Sequence, residues 1–420
     1  MKKQLSVVFL SLSAAVFISC SFAQKKTELT FLETVTSDNR TAVIKQIIAD
    51  FEKENAGISV NLISPPYDQA QKKLILMLDN EQPLDIIEVR DLDVKQYVDK
   101  KKLENLESRI ASWNEREDLL PVAMACARTA DGIAYGIPQF LFVKALFIRT
   151  DILRSRNITR YPETIDELFD DCIKITNAKR NEYGFDFRGD NGELKISDLL
   201  LFSSVPAVDV NNLYKTEAGG FSMSDPVFLK TLRKYIETFR RSVPADAVTW
   251  GFKEQIDSFI TGTTPFLIQD ADTVGFLDSK LGRSKYTVIP LPVDSRSRKA
   301  VVDYGFTSLS IPSYSKNKDA AWKFISYMSS AAVNTDLCKK YGPLPIHKSA
   351  FNKDPYFSTG VYQAWNTELN NPDMFVMVKF PLNSDKWPEW PRLHSEYMRA
   401  VMLGKMTPED FISRSAEYWK

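Results

Sequence analysis

The sequence predicts an α/β protein. Strand-like and helix-like runs alternate from residue 28 to residue 101, the helical runs carry their apolar residues on one face, and the run at 84–89 reads as a buried strand. Three βα units in series argue for a parallel sheet covered by helices on both faces. Ligands meet such a sheet at the carboxyl ends of its strands, here the loops 34–39, 64–68 and 90–93.

Each element has its own signal. Residues 28–32, ELTFL, form the first strand. Across 39–55, Val43, Ile44, Ile47, Ile48 and Phe51 recur at helical spacing, and Gly57 stops the helix before a β-rich run at 58–63. Helices follow at 68–78 and 94–101, on either side of the strand at 84–89. The middle is less regular. Asp131-Gly132 and Gly136-Ile137-Pro138 punctuate the chain, and 141–148 is apolar apart from Lys144. Thr164-Ile165-Asp166-Glu167 is a capping box opening a helix to about 174, and Asp190-Asn191-Gly192 is a turn. Helices are expected at 228–240, 254–259 and 319–329, and strands at 263–269, 286–290 and within 301–311. Thr407 caps a closing helix with Pro408 in its first turn.

At 420 residues the chain fits two or three domains of roughly 100–200 residues, or one bilobed unit. Its 54 basic and 54 acidic residues cancel, which argues against a grip on nucleic acid. Chemistry is scarce. His347, placed in a surface loop, and His394, placed on a solvated helix face, have no metal-ligand spacing, and Cys126, Cys172 and Cys338 lie far apart with no C-x-x-C. Cys172 falls on an apolar helix face and reads as a buried small hydrophobe; a disulfide among the three cysteines stays open. No nucleotide-binding, metalloprotease or serine-hydrolase motif is present, so neither an enzyme nor a metal or other cofactor is expected. Paired carboxylates for glycoside cleavage need only spatial proximity, which keeps an exported carbohydrate-active hydrolase as the alternative, beside a surface sensory or interaction lipoprotein on a binding fold.

The N-terminus reads as an address. Lys2 and Lys3 precede an uncharged, mostly apolar run at 5–18, shorter than the ~20 residues of a membrane span and suited to a signal peptide over 1–23. Phe17-Ile18-Ser19-Cys20 resembles a lipobox, making Cys20 a lipidated first residue; Ser21-Phe22-Ala23 before Gln24 fits ordinary cleavage instead. Either route predicts a periplasmic or extracytoplasmic protein, touching the membrane only through a lipid anchor at Cys20.

Ordered segments then carry a family resemblance. They are Ile47-Ile48-Ala49-Asp50-Phe51-Glu52-Lys53-Glu54-Asn55-Ala56-Gly57-Ile58, Gln82-Pro83-Leu84-Asp85-Ile86-Ile87, Asp131-Gly132-Ile133-Ala134-Tyr135-Gly136-Ile137-Pro138, Pro162-Glu163-Thr164-Ile165-Asp166-Glu167-Leu168, Ser315-Lys316-Asn317-Lys318-Asp319-Ala320-Ala321-Trp322-Lys323-Phe324-Ile325, and Tyr341-Gly342-Pro343-Leu344-Pro345. In order and spacing they resemble the bacterial extracellular solute-binding proteins of ABC importers, of the larger sugar-binding type that includes the maltose-binding proteins. The resemblance implies a type II periplasmic-binding-protein fold: two α/β lobes, each a βα sheet with helices on both faces, joined by a hinge. It divides the chain into a first lobe of 24–138 plus 301–333 and a second of 139–300 plus 334–420. It implies a monomer that binds a mono- or oligosaccharide between its lobes and delivers it to ABC-transporter membrane permease subunits, without nucleic acid as a partner.

Site residues follow from the same resemblance. The loop after the first strand supplies Thr36, Ser37 and Asp38, and the loop after the third supplies Arg90, Asp91 and Asp93. Asp270 lies in Gln269-Asp270-Ala271-Asp272, where family members often have a Trp, and Tyr304 lies in the Gly-containing hinge strand. Trp390 and Tyr397 are the expected stacking aromatics, either of them on a sugar ring, with Asp38 or Asp91 accepting hydroxyl hydrogen bonds; Trp250, in a predicted loop, is a further candidate.

Overall fold

A computed structural model describes residues 26–129, 132–190, 193–382 and 384–420. The signal-peptide and Cys20 readings, Asp131 and most of the 190–192 turn fall outside the described residues. The strands are β1 (Thr27–Leu32), β2 (Ile58–Ile63), β3 (Ile86–Arg90), β4 (Ile137–Arg149), β5 (Val208–Asp209), β6 (Asn212–Thr216), β7 (Phe266–Asp270), β8 (Tyr286–Ile289), β9 (Ala300–Val302), β10 (Tyr304–Ser310) and β11 (Phe375–Met377).

The first βα units form as their periodicity dictates. Ser37 caps the helix Asp38–Glu54 by accepting from Arg40 N, and Ile44, Ile47, Ile48 and Phe51 are its buried stripe. β1 is flanked in parallel by β2 and β3, which puts the three strand ends on one edge. Beyond β3 the sheet turns antiparallel, in the order β2-β1-β3-β10-β4-β7, with β8 also on β4. The capping box at Thr164 is present, with Glu167 reaching back to the cap, and Thr407 caps the last helix, Pro408–Trp419.

β4 positions the site. It is 13 residues long and buried at nearly every position. From Ile137 to Val143 it pairs with β10; from Lys144 onward its partners are β7 and β8. One unbroken strand therefore runs through residues 138 and 139 and changes partners at Val143/Lys144. The indole N–H of the fully buried Trp365 donates to Val143 O at 2.8 Å, at that crossing. Residues 334–348 return to the β1–β3 side: Asn334 donates to Gln139 O, Leu344 pairs with Leu141, and Lys348 donates to Glu117 O.

Both histidines are core residues, not solvated ones. His347 is fully buried, with Nε2 2.7 Å from Ser329 O and Nδ1 3.3 Å from the Asp118 carboxylate. His394 is fully buried between Glu193 and Asp198. Cys172 and Cys338 are buried free thiols. Among the described residues no helix is long and apolar enough to cross a membrane.

Candidate functional site

The site grows from a buried ion cluster beneath the strand ends. Arg40 has no exposed surface; its guanidinium bonds Glu33 at 3.0 Å and also bonds Glu88. Glu88 accepts from the backbone N–H groups of Thr34 and Val35 at 2.8 and 2.9 Å, so a β3 side chain fixes the loop that leaves β1. Phe140 and Tyr341 each place a ring 5.5 Å from the Arg40 guanidinium carbon. Arg90 donates to Thr34 O at 2.6 Å and lies 4.7 Å from the Tyr67 ring centre. Gly342, with φ of 122°, turns the chain after the helix Ala331–Tyr341; a Cβ there would meet Asp272 Cα at 3.0 Å, so the backbones around Tyr341 and Asp272 approach closely.

Above this base lies a cavity of about 420 Å3, within the usual range of roughly 300–1,000 Å3 for small-molecule sites. Thr36, Ser37, Tyr67, Arg90 and Asp91 line it from the strand ends, Phe142 and Lys144 from β4, and Lys195, Asp270, Asp272, Asp303 and Tyr341 close it. It continues into a cavity of about 240 Å3 past Asp303, Tyr304 and Phe380, and into one of about 540 Å3 beside Asp38, Ser64 and Tyr67.

Charges in the central cavity are mostly matched. Lys195 lies 2.9 Å from Asp303 and 3.9 Å from Asp91, and Lys144 lies 2.9 Å from Asp270. Burial raises the Asp91 pKa, against the opposing pull of Lys195. Burial alone would lower that of Lys195, but Asp303 and Asp91 outweigh it and raise it above the ordinary lysine value. Asp272 has no ion-pair partner among the described residues; burial, reinforced by Asp270, lifts its pKa to about 7. Two buried polar atoms of its lining residues, Thr36 Oγ1 and Arg90 Nε, have no hydrogen-bond partner, nor has Thr273 Oγ1 next to Asp272. Such groups are costly when left unmatched.

The Asp272 shift has a measurable sign. Below pH 3.8 both folded and unfolded states hold this proton; between there and about 7 the folded state holds more, so its contribution to stability falls as pH rises. Asp272→Asn should therefore stabilise the protein at pH 8 by on the order of 1 kcal/mol and leave it unchanged at pH 3.5, read by urea unfolding at both.

The residues expected from the sequence divide. Thr36, Ser37, Arg90, Asp91 and Asp270 converge on the central cavity, and Asp38 and Tyr304 line its extensions. Asp93, its pKa raised to about 6 mainly by burial, lines none of these cavities and faces Gln71. The aromatic assignments need correction. Trp390 is fully buried, with Tyr214, Tyr418 and Trp419 ring centres 5.1–5.5 Å apart in its cluster, so its face is already covered. Tyr397, on the helix Trp390–Met402, packs with Arg414, and Trp250 donates its indole N–H to Asp246; neither lines the cavities described. Sequence reasoning missed Tyr67, Lys144, Lys195, Asp272, Asp303 and Tyr341. Only Tyr67 carried a usable signal, an aromatic in a strand-end loop.

A type II two-lobed α/β body with a polar and aromatic cleft at its strand ends, beside a double-strand crossing, defines a solute-binding protein. The model of the bacterial extracellular solute-binding protein family matches residues 37–335, and the chain belongs to that family. YcjN of Escherichia coli (strain K12), assigned as an ABC transporter periplasmic-binding protein, is 25% identical over 377 residues, 87% of this chain and 84% of that one. Among solved structures, an ABC transporter solute-binding protein from Thermotoga lettingae TMO bound with alpha-D-tagatose superposes with a TM-score of 0.76 at 22% identity, covering 93% of this chain and 98% of that one. The sugar-binding protein MalE from Xanthomonas citri gives a TM-score of 0.77 at 20% identity, covering 93% and 96%.

Proposed function

We propose that the protein is an extracytoplasmic receptor of an ABC importer that binds a carbohydrate in its interlobe cleft, closes around it and presents it to the permease subunits in the membrane. The carrying observation is the central cavity, where the half-exposed ring of Tyr67 stands beside Arg90, Asp91 and the partnerless Thr36 hydroxyl. An aromatic face covers the C–H surface of a sugar ring, while carboxylates accept and Lys, Arg and hydroxyl groups donate to its hydroxyls. The tagatose and MalE likenesses support this ligand class. In this reading the first lobe holds β1–β3, β10 and β4 up to Val143, the second holds β7, β8 and the C-terminal helices, and the ligand leaves chemically unchanged. Export and lipid anchoring at Cys20 belong to the same reading.

Calorimetry of the mature protein against a panel of sugars and polyols tests it. Saturable one-site binding is expected, with the sugar recovered intact by chromatography. Tyr67→Ala should weaken binding by about 1 kcal/mol and Asp91→Ala by about 1–3 kcal/mol. Failure of every panel member to bind, or release of hydrolysed product, would refute the receptor reading. Intact mass of the native protein separates a lipidated Cys20 from an unmodified start at Gln24, the latter removing the anchor but not the export.

A further inference from the structure

The central cavity holds more carboxylates than cations. Four carboxylates line it, those of Asp91, Asp270, Asp272 and Asp303, against three cations, Arg90, Lys144 and Lys195. Lys195 serves two of the four, at 2.9 Å from Asp303 and 3.9 Å from Asp91. Lys144 lies 2.9 Å from Asp270 and acts on Asp272 only from a distance. Arg90 is engaged elsewhere, donating to Thr34 O with its guanidinium carbon 4.7 Å from the Tyr67 ring centre. Arg188, against the Phe252 ring, acts on Asp270. One carboxylate is left over, and it is Asp272. Its pKa near 7, raised by burial and reinforced by Asp270, is the mark of a charge without a counterion.

A neighbouring polar group is unmatched as well. Thr273 is only 3% exposed, and its hydroxyl has no hydrogen-bond partner. Thr273 and Asp272 together line a cavity of about 260 Å3 that shares Asp272, Ser37 and Tyr341 with the central one. A hydroxyl of a neutral sugar can donate one hydrogen bond to Asp272 but cannot cancel its charge. An anionic sugar would add a fifth negative group. A metal ion would need several oxygen ligands converging on it, and the described residues hold no group of three acidic, histidine or cysteine side chains that could bind one. An ammonium meets each requirement, being a compact charge with donors to spare for the hydroxyl beside the carboxylate.

We propose that the ligand is an amino sugar, or an oligosaccharide containing one, and that Asp272 selects it by pairing with its protonated amine. The proposal rests on the carbohydrate-receptor reading above and narrows its ligand class. Thr273 offers a hydroxyl oxygen to a second N–H of the amine, and Lys144, drawn to Asp270, leaves Asp272 open to the incoming cation.

The test is calorimetry of the mature protein at pH 7 with matched triples: glucose, glucosamine and N-acetylglucosamine; galactose, galactosamine and N-acetylgalactosamine; cellobiose, the glucosamine dimer of the same linkage and its diacetylated form. At least one amino sugar should bind tenfold or more tightly than both its hydroxyl and its acetylated counterpart. Asp272→Asn should cut that preference to roughly threefold or less while unfolding at or above the wild-type temperature. Lys144→Met, which removes the competing cation, should raise the preference several-fold. A role for Asp272 in shape alone predicts no such opposite pair. No amino sugar reaching tenfold, a preference that survives Asp272→Asn, or saturable binding of Ca2+ or Mg2+ that Asp272→Asn abolishes would overturn the amino-sugar reading, while binding of any neutral sugar leaves the receptor reading standing. Binding to no member of the panel would overturn both.

Discussion

His394→Ala is expected to lower the unfolding free energy by about 3–5 kcal/mol at pH 7. The imidazole has no exposed surface, with Nδ1 3.0 Å from Glu193 and Nε2 3.1 Å from Asp198; the Tyr214 hydroxyl donates to the other Asp198 oxygen at 2.7 Å. Burial by itself would discharge the ring, but Asp198 and Glu193 overcome it and raise the pKa to about 10. Removing the cation leaves two buried carboxylates facing an enlarged void. The contribution of the histidine charge is complete below the unfolded pKa of 6.5 and fades as pH climbs toward about 10. Urea unfolding of both proteins at pH 6 and pH 9.5 should show the gap narrowing at the higher pH. A loss below 1 kcal/mol, or one that does not change with pH, would mean that the ring is neutral in the fold. Asp198 lies on the helix Leu194–Phe202, which also carries Lys195 into the central cavity, so the variant should weaken ligand binding as well.

Arg40→Met should lose a similar 3–5 kcal/mol, with a stronger effect on the site. Methionine replaces the methylene stem but removes the guanidinium that lies against Phe140 and Tyr341, and it leaves Glu33 and Glu88 buried without a cation. Burial already raises the Glu33 pKa against the pull of hydrogen bonds and Arg40, so protonation is the ready escape. Glu88, having lost its guanidinium partner, is no longer held in place to accept from the N–H groups of Thr34 and Val35, which frees the loop bearing Thr36 and Ser37. Adding Glu33→Gln and Glu88→Gln to Arg40→Met should recover much of the stability, since removing all charges costs less than stranding some. Denaturant midpoints for the single and triple variants decide it; a triple variant no more stable than Arg40→Met would assign the loss to packing rather than charge.

How much of this was legible in the sequence depended on distance along the chain. The first three βα units were readable because their periodicity is local, and the observed β1, β2 and β3 fall where it places them. Strand-end loops were readable as a site for the same reason, which is how Thr36, Ser37, Arg90 and Asp91 were reached. Lys144, Lys195, Asp272 and Asp303 were not, because the cleft assembles them from a crossing strand, a helix start and two strand ends far apart in the sequence. Trp390 and Tyr397 show the opposite failure: a cluster of aromatics has the same composition whether it stacks on a sugar or on itself. The two histidines, polar in type, sit in the core because buried partners hold them there, and no local pattern announces such partners.

The paired crossing of β4 and β10 sets how the cleft can move. Phe142 lies opposite Gly305 and Val143 opposite Tyr304, so the two connections run side by side as one hydrogen-bonded ribbon. Sliding one strand past the other would break that register, and twisting would shear its bonds, whereas bending the ribbon across its thin direction disturbs few of them. In the receptor reading proposed above, the body is expected to bend as two masses on a leaf spring with one soft coordinate. Walls that travel along a single arc meet in the same alignment on every stroke, and little orientational entropy remains to be lost when they meet.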